Sequence, residues 1–346
     1  MKIVIFCLSI ITLLITLSEC KLGKETPSHS QVINSHNDKL LSDMKILNTI
    51  AFGSCNKVDE EQLLWDDISA TDPDIWIWLG DAIYGDTEDM AIMSGKYKLQ
   101  KMNKGYKALR EQTPVIGIWD DHDYGINNGD KTFPAKVGSR DAFYDFLDIS
   151  KDSKFREREG AYQSYRFSSV GGSVAIILLD TRYFKDPAQR RKGKYVYDER
   201  IDILGVQQWQ WLESEVRQSA DIIIIGNGTQ IIPEDHNYEK WANHPSSRKR
   251  LFELLEDVDS KVVLLSGDRH IGEMSQLRLE NDMTVSEVTS SGMTHTYEGL
   301  KEEKNRHRIS TFTTKINYGL IQISADSITL QIRGDNNSIL RSMSIK

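Results

Sequence analysis

Cysteine is scarce in this chain. Only Cys7, Cys20 and Cys55 occur among 346 residues, which excludes the disulfide framework that stabilises many small secreted domains. A Gly-x-Ser-x-Gly elbow is also missing. Ser54 and Ser266 are expected at strand ends, but neither lies in a turn that would expose a nucleophile, so a Ser-His-Asp hydrolase is a poor reading. Positive charge is in deficit: the net charge is −8 at pH 7, which opposes a broad electrostatic footprint on nucleic acid or an anionic membrane. No nucleic-acid partner, no transmembrane anchor and a monomeric state are therefore expected. Two local basic runs, Arg190-Arg191-Lys192-Gly193-Lys194 and Arg248-Lys249-Arg250, read as a solvated loop and a solvated helix face. No internal repeat is visible.

The N-terminus carries one apolar stretch. Lys2 precedes Ile3 to Leu17, and Ser18-Glu19-Cys20 follows with small residues at the positions a signal peptidase reads. The stretch is short and gives way at once to polar sequence, so residues 1–20 are expected to be a signal peptide and the protein to be secreted or extracytoplasmic. Glu19 fits lipid modification of Cys20 badly. Cleavage would leave Cys55 as the sole cysteine, an unpaired thiol in an oxidising compartment unless buried or metal-bound. Residues 21–45 are polar and without period, and are expected to form a disordered or extended leader. The folded domain is expected to span 46–346.

Within that domain, five short apolar runs of the kind that make buried strands stop at metal-binding or hydrogen-bonding residues. They are Ile50-Ala51-Phe52 into Gly53-Ser54-Cys55-Asn56, Ile75 to Leu79 into Gly80-Asp81, Val115 to Trp119 into Asp120-Asp121-His122-Asp123, Ile222 to Ile225 into Gly226-Asn227, and Val262 to Leu265 into Gly267-Asp268-Arg269-His270. Open α/β sheets bind ligands beyond the carboxyl ends of their strands, so the pattern predicts a cup of ligands along one sheet edge. Helical spacing is expected over Glu60 to Ser69, Glu88 to Arg110, Arg140 to Ile149 and Gly205 to Ser219. Tyr162 to Phe167 and Ser173 to Leu179 read as two strands. Beyond His270 strands predominate, at Met274 to Leu279, Met283 to Val288, Tyr318 to Ser324, Ser327 to Ile332 and Ile339 to Ile345, while Thr294 to Thr314 is polar enough to suggest a mobile loop. Two face-to-face β-sheets with helices outside satisfy both halves.

The chemistry follows from the clusters. Asp81 at a strand end can share its oxygens between two cations, and Tyr84 three residues later can return a phenolate to the same place. A phenolate selects a hard trivalent cation, since only strong Lewis acidity pulls a phenol below its ordinary pKa near 10; ferric iron is the obvious candidate. The dense acids Asp120, Asp121 and Asp123 repel one another unless cations intervene. His122 among them is placed to give a proton to a leaving group while a carboxylate orients its ring. Asp268 and His270 alternate and would point the same way off an extended strand end.

These residues resemble those of the alkaline phosphatase D (PhoD-like) family of metallophosphoesterases. The matching stretches are Gly53 to Asn56, Leu79-Gly80-Asp81-Ala82-Ile83-Tyr84-Gly85-Asp86, Trp119 to Asp123, Leu179-Asp180-Thr181-Arg182, Ser266 to His270 and Thr289 to His295. The resemblance implies an α/β fold, a four-layer αββα sandwich of two mixed sheets flanked by helices. It further implies that Cys55, Asp81, Tyr84 and His270 hold Fe3+ and that Asp81, Asp121 and Asp268 hold a divalent cation, for which hard oxygens suit Ca2+ better than zinc. Such a centre would activate hydroxide for in-line attack on phosphorus. His122 would serve as general acid or phosphate clamp, and Arg182 would fork onto a phosphate oxygen. Asn56, Asp123, Asn227 and Gln230 are candidates for supporting or substrate contacts. The chain departs from the family pattern at Asp123, often Glu, and at Gly226 to Gln230, longer than the usual Asn-Gln pair.

The expected activity is thus hydrolysis of phosphate monoesters, diesters or both. A phospholipase-like diesterase is the nearest variant, which an exposed apolar rim around Trp241 or Phe184 would support. A catalytically idle metal-binding protein of the same fold is the rival, against which stand His122 and Arg182, since a binding module needs neither.

Overall fold

The structure is a computed structural model and describes residues 35–346. The expected signal peptide and residues 21–34 of the expected leader lie outside the described residues. Fourteen strands are found among those described: β1 (Thr49–Gly53), β2 (Ile75–Leu79), β3 (Val115–Ile118), β4 (Gln163–Ser169), β5 (Gly172–Leu178), β6 (Arg190–Arg191), β7 (Lys194–Tyr195), β8 (Ile222–Gly226), β9 (Lys261–Ser266), β10 (Gly272–Arg278), β11 (Thr284–Ser290), β12 (Tyr318–Ile323), β13 (Ile328–Arg333) and β14 (Ile339–Ile345). One six-stranded sheet runs β14-β13-β12-β1-β2-β3 and the other β10-β11-β9-β8-β5-β4, with β6 and β7 forming a separate hairpin. Strands β1, β2 and β3 are mutually parallel, as are β5, β8, β9 and β11, while the outer strands pair antiparallel. The expected four-layer arrangement is what forms.

Parity along the strands separates the layers, because successive side chains leave opposite faces of a sheet. Val174, Ile176 and Leu178 of β5, Ile222 and Ile224 of β8, and Val263 and Leu265 of β9 enter the core shared with the other sheet. Their neighbours Ala175, Ile177, Ile223, Ile225, Val262 and Leu264 pack instead with helix residues such as Trp209, Leu212, Leu251 and Leu255. On the first sheet Trp76 and Trp78 face outward against Trp65 and Tyr106, with ring centroids 4.9 to 5.7 Å apart. The three edge-on pairs among them contribute about 0.5–1.5 kcal/mol each beyond burial.

Several expectations need correction. The leader is not wholly irregular: Ser35 accepts from the Asp38 N–H and starts a helix over His36–Asp43. That helix buries Asn37, whose amide bonds Val115 N and O and Leu147 O. The expected helix over Glu88 to Arg110 is two, Met90–Met102 and Lys104–Arg110, because Asn103 leaves helical geometry and caps the second through the Tyr106 N–H. The expected mobile loop at 294–314 is tied down by Arg269–Glu303, Arg308–Glu273 and His307–Glu234 ion pairs at 2.6 to 2.8 Å. No helix among the described residues is long and apolar enough to cross a membrane.

Candidate metal centre

Parallel strands β1, β2 and β3 of one sheet and β8, β9 and β11 of the other end along one edge, and the chain turns sharply at each end. Gly80 (φ 90°) sits so close to Asp120 that a Cβ there would lie 2.3 Å from the Asp120 Cβ, and only glycine fits. Cys55, Asp81, Asp268 and His270 then adopt positive φ (61°, 49°, 64° and 51°). Each such conformation costs a non-glycine residue about 1–3 kcal/mol and persists where function or surrounding contacts demand it.

The turns aim three overlapping triads at one another: Cys55, Asp81 and His270; Asp81, Asp121 and His122; and Asp120, Asp121 and Asp268, each with ligand atoms within 4.8 Å. The Cys55 Sγ lies 3.4 Å from Asp81 Oδ2 and 3.1 Å from Ser291 Oγ. Tyr84 Oη lies 3.0 Å from both His270 Nε2 and His295 Nε2. His122 lies against the Tyr84 ring at 4.2 Å, its Nδ1 2.7 Å from Asp86 Oδ1.

Electrostatics fit the donors to cations. Burial, reinforced by Asp121, raises Asp81 well above the carboxylate range; burial with Asp120 and Asp121 does the same to Asp268. Burial lifts Asp120 to about 6 against the pull of Arg182. The Cys55 thiol and Tyr84 phenol are raised by burial and by their acidic neighbours. His270 is lowered to about 3 by burial and then by His295, keeping it a neutral ligand. Positive charge is what this cluster lacks, and Asp120 Oδ2 is buried without a partner. Thiol, phenol, imidazole and carboxyl groups on one side and three carboxyl groups on the other are donor sets that could hold metal ions.

His122 differs. Burial opposes its charge, but the Asp86 hydrogen bond and the Asp81 and Asp121 carboxylates lift it to about 10. These neighbours favour its imidazolium form, and Nδ1 lies 2.7 Å from Asp86 Oδ1.

The structure corrects the reading of Arg182. Its guanidinium is fully buried, donating to Asp120 Oδ1 at 2.6 Å and Glu239 Oε2 at 2.5 Å, with Lys185 pairing the other Glu239 oxygen. Through Nε it holds Asp120, and its Nη2 is buried without a hydrogen-bond partner. Asp123 accepts from the Ala82 and Ile83 N–H groups at 3.2 Å and from Tyr97, so it holds the turn that presents Asp81 and Tyr84. Asn56 bonds Ala82 O and Gln100, Asn227 bonds Leu265 O, Thr229 N and Trp241, and Gln230 bonds Glu273 and Thr289. All three are buried, and Asn56 Oδ1 and Gln230 Oε1 have no hydrogen-bond partner. The apolar rim is not formed either: Trp241 is buried and Phe184 is half-buried.

Sequence reasoning noted Asp120 only as one of a cluster of acids and gave no role to Asp86, His295, Ser291 or Glu239. Asp86, Ser291 and His295 stand within the motif stretches. Glu239 comes from a distant loop and carries no local signal.

Solved structures share this architecture. One described as the structure of PhoD superposes with a TM-score of 0.70 at 17% identity, over 88% of this chain and 69% of that one. GAP50, described as the anchor in the inner membrane complex of Plasmodium, gives 0.59 at 15% identity over 87% and 89%. A dimetal phosphatase from Danio rerio gives 0.55 at 13% identity over 87% and 99%. No curated protein sequence matches the chain. Residues 50–332, which contain every strand end of the cup, match the model of the PhoD-like phosphatases, and the chain belongs to that family.

Proposed function

We propose that the chain hydrolyses phosphate esters, monoesters or diesters, with Cys55, Asp81, Tyr84 and His270 holding Fe3+ and Asp81, Asp121 and Asp268, joined by Asp120, holding a divalent cation such as Ca2+. The observation that carries this reading is the convergence of the three triads beside the Asp86-paired His122. Such cations, when bound, supply the positive charge that a phosphoryl group needs under attack. The chain supplies the rest. Asp86 fixes the ring of His122, leaving Nε2 to donate its proton to the departing oxygen. Arg182 and Glu239 hold Asp120, and Asp123 holds the Asp81 turn, so the donors are set before substrate arrives. Family membership makes a phosphate ester the substrate. Export is supported by Lys2 and the apolar run Ile3 to Leu17, and a monomer remains the simplest assembly.

The fold also serves, in GAP50, as an anchor, so an idle binding protein is the competing reading. The His122–Asp86 pair argues against it. Initial rates on p-nitrophenyl phosphate and bis-p-nitrophenyl phosphate, with iron and calcium supplied, decide the matter. Turnover of either is expected, and His122→Ala should lower kcat about 10²–10⁴-fold. Absence of turnover in folded, metal-loaded protein would favour the anchor.

A further inference from the structure

The basic run at 190–194 is not absorbed by the metal centre. It forms the β6–β7 hairpin, closed by the Val196 N–H donating to Gln189 O at 2.8 Å and turned by Lys192 (φ 51°) and Gly193 (φ 77°). Arg190, Arg191, Lys192 and Lys194 are exposed, and among the described residues none forms an ion pair.

This hairpin is tethered to the metal centre. Tyr195, which carries the Arg190 guanidinium 4.1 Å above its ring, donates its hydroxyl to Asn128 Oδ1 at 3.4 Å. The Asn128 N–H in turn donates to Asp121 Oδ2 at 2.6 Å. One residue therefore separates the hairpin from a carboxylate of the cup.

Behind the hairpin a cavity of about 240 Å3 opens between Lys194 to Tyr197 and the loop at 234–243. Its acids are already matched: Glu234 pairs with His307 at 2.8 Å and Asp235 with Arg306. Lys240 on the same wall forms no ion pair. It donates to the His236 and Tyr238 carbonyls at 2.6 and 3.1 Å, with Arg269 and Arg190 adding like charge and Glu303 and Asp235 opposite charge nearby. In a chain of net charge −8, the four exposed cationic side chains of the hairpin make a positive patch one residue removed from Asp121. Fixed cations so placed raise the local concentration of anions and reward a second negative group on the ligand.

We propose that the β6–β7 hairpin, with Lys240 behind it, is a second anion subsite that selects phosphate esters carrying another phosphate group, whether in a soluble metabolite or on a lipid headgroup. The proposal rests on the phosphoesterase reading of the metal centre. Its test is a binding measurement on metal-loaded, full-length His122→Ala protein, in which turnover is slowed and is checked by phosphate release over the titration.

Calorimetric titration should show glucose 1,6-bisphosphate binding about tenfold more tightly than glucose 6-phosphate, the discrimination one charge-assisted contact supplies. Adding Arg191→Ser, Lys192→Ser and Lys194→Ser should erase that preference, whereas Lys261→Ser, at the opposite end of β9, should keep it. A parallel arm measures sedimentation with phosphatidylcholine vesicles with and without phosphatidylinositol 4-phosphate. A hairpin-dependent preference in either arm supports the subsite and names its source. Equal binding of the paired ligands in both arms, or a preference that survives the triple substitution, overturns it. Failure of the phosphoesterase reading would show separately, as wild-type protein inert toward p-nitrophenyl phosphate, and would leave the titrations readable.

Discussion

Tyr84 reaches across to His270 and His295 while its ring lies against His122, so one side chain would join the proposed ligand set to the proposed proton donor. A phenolate bound to ferric iron absorbs visible light by charge transfer, which makes its role directly observable. Tyr84→Phe is expected to abolish that band while elemental analysis still finds iron held by Cys55, Asp81 and His270; a band of undiminished strength in the variant would remove Tyr84 from the ligands. His236 offers a second residue-level test, through protonation. Burial, then Arg269, Lys240 and Arg308, hold its imidazole down to about 2, and its Nε2 is buried without a partner. The folded value lies below the unfolded one, so the contribution of His236 to stability is complete above about pH 6.5 and is lost as pH falls toward the folded value. Between pH 7 and pH 5 that loss is about 2 kcal/mol. His236→Gln should show a correspondingly flatter decline in urea unfolding, and parallel curves for the two proteins would disprove the assignment.

Among the elements, the helix His36–Asp43 shows what sequence reading could not reach. Its mean polarity suggests an unstructured leader, and only one of its residues, Asn37, is buried. That residue does the anchoring, by bonding both backbone groups of Val115 on the edge strand β3 and the Leu147 carbonyl. Asn37→Ala removes these bonds and strands the buried Val115 N–H, and should lower stability by about 2–3 kcal/mol in urea unfolding; a loss under about half a kcal/mol would show that the edge is otherwise satisfied. The strands β1, β2, β3, β8 and β9 were legible because each is a run of apolar residues ended by glycine or acid, a signal contained in the run itself. The break at Asn103 and the pinning of 294–314 were not, since the first depends on one cap and the second on partners up to 73 residues away. Asp81, Asp121, Asp268 and His270 do converge, but Asp268 and His270 do so in left-handed turn conformation and in separate triads, not side by side off an extended strand end as their alternation suggested, and the burial of Arg182 depends on Glu239, 57 residues on.

For the molecule as a whole, the cup is a concentration of like charge that the fold alone does not neutralise, and cations bound to the native state should stabilise it by mass action. Removal of metal with a chelator is expected to lower the thermal midpoint by about 10 °C, given binding worth about 4 kcal/mol in a domain of this size, with recovery on adding iron and calcium. An unchanged midpoint after verified metal removal would mean that the donors are satisfied without ions. One further consequence lies in where the donors come from. Cys55, Asp81, Tyr84 and Asp121 follow strands of one sheet, while Asp268 and His270 follow a strand of the other. The centre is therefore a rivet through two plates, and its bore stays aligned only while the plates keep their spacing. A slip of either plate would misalign the bore long before the rivet's own residues were touched, so catalysis in this architecture should report on the seating of a core that contains no catalytic group at all.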